Sequence, residues 1–239
     1  MVTLHVTTPP LSVAAHVALD QLLLREANTK RLPPLFRLCP LADEAVVVGI
    51  SQDPDSYVHL DRCREDGVPV LKRFSGGGAV FVGPGCVVFS VTTRFGEELR
   101  RYDVPGAYHH VLGPVVDALR ARGLDATFEP PCDIAVDGRK IAGNAQAQKR
   151  NAVVVHGTFL VEADIARIEH YLKHPDVAPD YRVDRPHSEF VVNLSDYGLN
   201  AEDVEGLLKT VWAPQAKVRP VSGALLEEAR ACADSFLVL

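Results

Sequence analysis

Lys72-Arg73-Phe74-Ser75-Gly76-Gly77-Gly78-Ala79-Val80-Phe81 places three consecutive glycines between two apolar runs, Val68 to Arg73 and Ala79 to Val82. Both runs read as strands. Glycine inside a sheet costs roughly 0.5–1 kcal/mol against alanine, through backbone entropy. A chain keeps such residues where a ligand must come close to the backbone, because bare N–H groups can then meet an anion or a carbonyl. Arg73 adds a fixed charge able to fork onto a carboxylate or phosphate. The loop is neither G-x-x-x-x-G-K-[ST] nor G-x-G-x-x-G, so the common nucleotide loops do not account for it. On the loop alone, a glycine-rich hairpin or bulge without a ligand stays open.

On the amino-terminal side, Leu4 and Val6 alternate with polar residues as a short strand. Ser12 offers an N-cap to a helix carrying Val13, Val17, Leu19, Leu23 and Leu24, and Pro33-Pro34 ends that region. Leu35 to Cys39 and Ala45 to Ile50 read as paired strands joined by a turn at Asp43-Glu44, and His59 to Asp66 as a short helix stopped by Gly67. On the other side, Gly83-Pro84-Gly85 joins Ala79–Val82 to Cys86–Thr93 as a strand–turn–strand unit. Tyr108 to Arg122 has the apolar stripe of a helix, with Gly123 as its C-cap glycine. Asp137-Gly138 is a hairpin turn between Ile134–Val136 and a strand opening Arg139-Lys140-Ile141. Ala152 to Val161 is a strand, Ile165 to Leu172 a short helix, and Lys173 to Glu189, with three prolines, a surface loop. Ala201 to Trp212 and Gly223 to Asp234 are the last helices. The expected class is α+β: one domain over residues 1–239, with a mixed, largely antiparallel sheet core packed by helices.

The bulk numbers exclude several functions. The chain has 239 residues, 47% hydrophobic and 23% charged, so it can build a core without disulfides or metal. A net charge of -6 speaks against a nucleic-acid binder. Five scattered cysteines show no C-x-x-C pair, and nine histidines show no H-E-x-x-H spacing. No signal peptide is visible, and no apolar run approaches the roughly 18 residues of a membrane helix. A cytoplasmic protein with no nucleic-acid and no membrane partner is expected.

Two further segments carry chemistry. One is Asp133-Ile134-Ala135-Val136-Asp137-Gly138-Arg139-Lys140-Ile141-Ala142-Gly143-Asn144-Ala145-Gln146. Taken singly, Lys140 reads as the solvent-facing partner of Ile141. The other is His156-Gly157-Thr158 inside an apolar strand, where a lone histidine is ordinarily a hydrogen-bonded core residue. In this order and spacing, however, the three segments resemble the lipoate–protein ligase family, relatives of biotin ligases and octanoyltransferases. Val46-Val47-Val48-Gly49-Ile50-Ser51-Gln52, Gln146 and Val191-Val192-Asn193-Leu194 add to the likeness, which covers roughly Leu4 to Leu194.

The resemblance implies a catalytic domain of the biotin/lipoate ligase type, without the C-terminal accessory domain. The activity it implies is ATP-dependent activation of lipoate to lipoyl-adenylate, with Mg²⁺, followed by transfer to a lysine of an acyl-carrying domain. Lys140 matches the family's catalytic lysine. Arg73, Ser75, Gly76, Gly77, Gly78, Ala79, Gly143, His156, Gly157 and Thr158 match its substrate-binding positions, and Lys140, Asp133 and Gly78 its nucleotide-binding ones. No metal ligand is assigned. The implied acceptor is a lipoyl domain or an H-protein-like carrier, with room for a separate accessory-domain polypeptide.

The sequence also departs from the pattern. Where family ligases carry His-Asp-x-Gly, this chain has Val82-Gly83-Pro84-Gly85, and Cys132 stands where Asn is usual. An octanoyl- or lipoyltransferase working without ATP is the alternative, and a non-catalytic acyl-binding homologue is a third class. In the nearest transferase branch the nucleophilic cysteine falls near Thr127-Phe128-Glu129, and Thr127 occupies its place. Finally, Lys72, Arg73, Arg139, Lys140, Lys149 and Arg150 would form a basic rim for the acceptor if the sheet brings their hairpins together.

Overall fold

Period-2 and period-3.6 stretches alternate along the chain, and a computed structural model, which describes residues 2–97, 99–175 and 179–239, shows how they assemble. Strand β1 (Leu4–Thr7) leads to helix α1 (Val13–Asn28), followed by β2 (Leu35–Leu38) and β3 (Ala45–Val48). Helices α2 (Pro54–Tyr57) and α3 (Leu60–Asp66) precede β4 (Val70–Lys72), β5 (Val80–Val82) and β6 (Cys86–Arg94). Helix α4 (Val104–Arg120) is followed by β7 (Ala126–Glu129), β8 (Asp133–Val136), β9 (Arg139–Gln148) and β10 (Ala152–Leu160). The chain closes with α5 (Ile165–Tyr171), α6 (His187–Phe190), α7 (Ala201–Trp212), β11 (Lys217–Pro220) and α8 (Gly223–Cys232).

The strands form two sheets. The larger runs β11-β1-β2-β6-β10-β9-β8-β7; β11, β1 and β2 are parallel, and the rest pair antiparallel. The smaller runs β4-β3-β5, with β3 parallel to β4 and antiparallel to β5. The expected α+β class with a mixed, largely antiparallel sheet is what forms.

Two expected pairings do not form. Leu35–Cys39 and Ala45–Ile50 are not partners, because β2 lies between β1 and β6 of the large sheet while β3 is the centre of the small one. Their connection crosses the start of α1, where Asp43 Oδ1 accepts from Val13 N at 2.7 Å. The stretch Val82-Gly83-Pro84-Gly85 is likewise a crossing between sheets, not a hairpin. Gly85 has φ +81°, and a Cβ there would sit 2.1 Å from the Glu162 carbonyl oxygen, so only glycine fits. Of the expected loop Lys173–Glu189, Asp176 to Ala178 lie outside the described residues; the rest carries a 3₁₀ turn at Asp180–Arg182 and the start of α6. Strands β7 and β11 had no clear alternation to announce them.

Packing places the working surface. Val153, Val155 and Phe159 of β10 face α4 and α7 in one core, whereas Ala152 and Val154 face Leu24 and Ala27 of α1. Successive strand residues alternate faces, so His156 and Thr158 extend the row that looks toward α1. Val13 and Val17 of α1 in turn pack on Val47, Leu71 and Val82 of the small sheet. Helix α1 is thus held between both sheets, which explains why it is buried on nearly every side, His16 and Asp20 included. Among the described residues no helix is long and apolar enough to cross a membrane.

Candidate active site

Between α1, the small sheet and the α1-facing row of the large sheet lies a cavity of about 520 Å³. Part of its wall is aliphatic: Val13, Val17, Leu41, Val47, Val80 and Val88. Another part carries Arg73, Asp133, Lys140, Asn144, Arg182 and His187. An apolar pouch continuous with a cationic one suits an amphiphile with an anionic head.

The glycine loop is braced by Arg73. Its guanidinium donates to Val47 O at 3.1 Å, to Ser75 Oγ at 3.0 Å and to Gly76 O at 2.5 Å. Among the described residues it forms no ion pair with a carboxylate, and burial lowers its pKa to about 10, leaving it charged at neutral pH. Gly77 has φ +90°, and a Cβ there would lie 2.8 Å from Arg73 Nη2. Gly76 and Gly78 face open space. Gly49 has a different reason to be glycine: its Cβ would sit 2.0 Å from the Gly77 carbonyl oxygen.

Behind the loop runs a buried polar chain. Ser75 Oγ lies 2.7 Å from His156 Nε2, and His156 Nδ1 lies 2.8 Å from Asp20 Oδ2. Asp20 Oδ1 accepts from Arg37 Nε at 3.0 Å and Nη2 at 2.7 Å. Arg37 Nη1 reaches His16 Nδ1 at 2.8 Å, and His16 Nε2 reaches Pro40 O at 2.7 Å. The network fixes the tautomers: His16 donates from Nε2 and accepts at Nδ1, and His156 donates from Nδ1 to Asp20. Burial would raise Asp20, but the Arg37 guanidinium, His156 and Ser90 together outweigh it and hold the carboxyl below the usual range. Burial first, then Arg37, pushes His16 down to about 3, so it is neutral. The Ser–His–Asp order is that of a hydrolase triad. Yet Ser75 is 1% exposed and its Oγ already accepts from Arg73, so it supports the loop and is no nucleophile.

Lys140 stands across the cavity on β9. Its Nζ lies 2.8 Å from Asp133 Oδ1, and Tyr181 Oη donates to Asp133 Oδ2 at 2.9 Å. Both carboxylate oxygens are thereby committed, and the lysine head is fixed. Gly143 leaves that head its space, since a Cβ would lie 2.9 Å from Lys140 Nζ. Gly157 does the same for Asn144, whose Oδ1 would be 2.1 Å from a Cβ. Asn144 Nδ2 donates to Cys132 O at 2.7 Å, and among the described residues its buried Oδ1 has no partner.

Of the residues singled out from sequence, Arg73, Gly77, Gly78, Ala79, Asp133, Lys140, Gly143, His156, Gly157 and Thr158 line this cavity. Ser75 and Gly76 stand in the bracing just behind its wall. The six-residue basic rim does not assemble. Lys149 and Arg150 follow the far end of β9, about 30 Å along the strand from Lys140 at roughly 3.3 Å per residue. Sequence reasoning missed Asp20, Arg37, Asn144, Tyr181, Arg182 and His187. The first two had a readable signal, a charge set among apolar helix or strand positions. The last three sit in a segment whose prolines and charges read only as loop.

The model of one family, the lipoyl protein ligase A/B catalytic domain, matches residues 12–212. The chain belongs to this family. A probable lipoate-protein ligase A of Mycoplasma pneumoniae is 30% identical over 172 residues, covering 72% of this chain and 49% of the relative. The chain spans about half the length of the curated relatives it matches. Among solved structures, a bi-partite lipoate protein ligase of Thermoplasma acidophilum, studied with its E2 lipoyl domain, has a TM-score of 0.79 at 24% identity, covering 98% of this chain and 92% of that one. A lipoate-protein ligase A with ATP bound has a TM-score of 0.80 at 23% identity, covering 98% and 94%. These structures share the fold. Among the described residues, no group of three or more His, Cys, Asp or Glu side chains could hold a metal ion.

Proposed function

We propose that this chain is a single catalytic domain that uses ATP to activate lipoate as lipoyl-adenylate and passes the acyl group to a lysine of an acyl-carrying protein. One observation carries the reading: a buried arginine without a carboxylate partner and a pinned lysine face one cavity whose remaining wall is aliphatic, in a protein of net charge -6. An acyl tail fits the aliphatic part, and its carboxylate the cationic part.

In the first step a carboxylate oxygen attacks the α-phosphorus; the new C–O–P linkage forms and pyrophosphate leaves. Two anions meet, and a desolvated cation offsets their repulsion. Lys140 is suited to that, oriented by Asp133, which Tyr181 holds in turn. Arg73 has its donors on the loop, so it contributes its field and the loop's shape. In the second step the acceptor amine attacks the acyl carbon and AMP departs.

Two carboxylates line the cavity, Asp20 and Asp133, and each is already held by a cationic side chain, so a magnesium ion would take its ligands mainly from phosphate oxygens and water. By likeness to the bi-partite T. acidophilum system, we assign the acceptor role to a lipoyl domain or H-protein-like carrier and leave a place for a separate accessory polypeptide. The five cysteines are unpaired, in keeping with a cytoplasmic setting.

The ATP-independent transferase is the weaker reading. Cys132 lines the cavity, but burial, and then Asp133, raise its thiol above the ordinary range, and a thiol is a poor nucleophile beside a thiolate. Thr127 Oγ1 donates to Glu129 at 2.9 Å and is not on the cavity wall. The test is Lys140→Ala, which should lower lipoyl-adenylate formation by about 10²–10³-fold while the protein still folds and melts cooperatively, at a lower temperature because buried Asp133 loses its cation. Lys140→Arg should not restore it, because a planar fork cannot take the place of a point charge beside Asp133. Near wild-type adenylate formation in Lys140→Ala would remove this function.

A further inference from the structure

The β9–β10 turn ties together three stretches that lie far apart in sequence. Asn151 donates from N to Asn28 Oδ1 and from Nδ2 to Asn28 O, both at 2.9 Å, which fixes the end of α1 beside the turn. Phe95 N donates to Asn151 O at 3.2 Å, and Arg94 bonds Leu32 O, so the end of β6 joins them. Tyr102 N donates to Gln148 Oε1 at 3.0 Å. These stretches thereby form one corner of the molecule, and in sequence 28–32, 94–104 and 148–151 set seven Lys and Arg against three acids. The corner carries +4 in a chain of net charge -6, so the remainder carries -10. One of its acids, Asp103, is committed to capping α4 at Gly106 N, 2.8 Å away. Lys30, Arg100, Arg101, Lys149 and Arg150 are exposed and, among the described residues, form no ion pair.

The same corner holds up an aromatic ring. Tyr102 has φ +67°, a left-handed conformation that is costly for a residue with a bulky side chain. Two glutamines of β9 keep it there. Gln148 accepts from Tyr102 N, Gln148 Nε2 donates to Gln146 Oε1 at 2.9 Å, and Gln146 Nε2 donates to Val104 O at 2.8 Å. The result is a ring 73% exposed, with the Arg101 guanidinium over it at 4.3 Å, and Val104 exposed two residues on. Strain that pushes apolar surface into water gives the fold nothing, but it presents a contact to a partner. Tyr and Arg are also the side chains that dominate protein–protein contacts.

This corner adjoins the active site. Ala145 of β9 lines the cavity, and a Cβ on Gly77 would lie 3.9 Å from the Ala145 Cβ, so the glycine loop packs on the strand there. From Ala145, Lys149 lies about 13 Å one way and Lys140 about 16 Å the other, at roughly 3.3 Å per residue. A partner covering about 800 Å², a disc of roughly 16 Å radius, spans both.

We propose that this corner, with Arg101 and Tyr102 at its centre, is the docking surface for the acyl-accepting protein, which presents an acidic face around its target lysine. This rests on the ligase reading, because transfer to a protein lysine is what brings a second macromolecule to the cavity. An acidic partner, repelled by the chain as a whole, is steered to the one corner of opposite sign.

The experiment titrates a recombinant, unlipoylated lipoyl domain of negative net charge into wild type, the double variant Arg101→Glu/Lys149→Glu, and Tyr102→Gly. Kd is read by calorimetry, and lipoyl-adenylate formation and thermal melts are measured on the same proteins. The charge reversal should weaken domain binding about 10–100-fold at low salt and flatten its dependence on salt. Tyr102→Gly removes the ring and suits the left-handed backbone, so it should weaken binding about 5–30-fold and melt no lower than wild type. Adenylate formation should stay within about twofold of wild type in both. Folded variants that bind the domain within about twofold of wild type overturn the docking surface and leave the ligase reading standing. Wild type that does not bind the domain at concentrations up to about 1 mM overturns it too, as does a short single-stranded DNA that binds this corner more tightly than the domain. If Tyr102→Gly does not fold, the charge reversal decides alone. Wild type that forms no lipoyl-adenylate from lipoate and ATP overturns the ligase reading and this assignment with it.

Discussion

Gly49→Ala adds one methyl group behind the glycine loop, at a position that does not line the cavity. Its Cβ would sit 2.0 Å from the Gly77 carbonyl oxygen and 3.2 Å from the Gly76 carbonyl carbon, against a practical minimum of 3.0 Å. Both neighbours are backbone, so strand β3 and the loop must part by about 1 Å. The seam that opens also holds the Ile50 N–Ser75 O bond of 2.9 Å, and Arg73 spans it with bonds to Val47 O and Gly76 O. Overpacking of this kind costs roughly 1–3 kcal/mol, a fall in melting temperature of about 2–12 °C for a chain of this size. Catalysis should suffer more, because displacing reacting groups by about 1 Å can cost on the order of 10²-fold. The assay is kcat/KM for lipoate-dependent adenylate formation beside a thermal melt. Gly49→Ala should melt cooperatively a few degrees low and react about 10²-fold slower. Activity within about threefold of wild type in the folded variant would mean that the loop's position does not matter to the chemistry.

Three other outcomes follow from the buried chain and from Cys132. Asp20→Asn should destabilise the fold by roughly 3–5 kcal/mol, since it leaves the fully buried Arg37 uncompensated; a loss below about 1 kcal/mol in urea titration would show that the pair does not hold α1 to β2. His16 has a folded pKa of about 3, below its ordinary 6.5, so the unfolded chain binds more protons between those values and stability must fall as pH drops through that window. His187, at about 4, acts in the same direction. Urea midpoints should therefore decline from pH 7 toward pH 4, less steeply in His16→Asn, and an unchanged slope in that variant would acquit His16. Cys132→Ser should keep most ligation activity, with no acyl adduct on the wild-type protein by intact mass; an octanoyl adduct that vanishes in Cys132→Ser would favour the transferase.

Much of the site was legible because its chemistry is local in sequence. The glycine loop, Lys140 and His156-Gly157-Thr158 each interrupt an apolar strand, and an interruption that a strand tolerates points to a function. Pairing was less legible. Leu35–Leu38 and Ala45–Val48 each read correctly as strands, but sequence does not say that a short polar turn crosses from one sheet to the other over α1. The triple glycine also proved to have divided duties. Gly77 meets a positive φ and Arg73, whereas Gly76 and Gly78 face open space. Gly157 makes room for Asn144, a reason that appears only when β9 and β10 are in register, and Gly143 makes room for the Lys140 head on its own strand. Asp20 and Arg37 come from elements that nothing in the sequence joins, and Arg182 from a segment whose charges look solvated until it folds against the β8–β9 hairpin.

The most direct measurement supplies purified protein and an acceptor lipoyl domain with either lipoate plus ATP and Mg²⁺, or an octanoyl-carrier donor without nucleotide, and follows the acceptor's mass. The cationic wall and the protonated Cys132 thiol predict that lipoate plus ATP modifies the acceptor lysine, or with no accessory polypeptide at least builds lipoyl-adenylate, and that the nucleotide-free donor leaves the acceptor unmodified. Acyl transfer from the carrier donor at an equal or greater rate, with no lipoyl-adenylate formed from ATP, would contradict it.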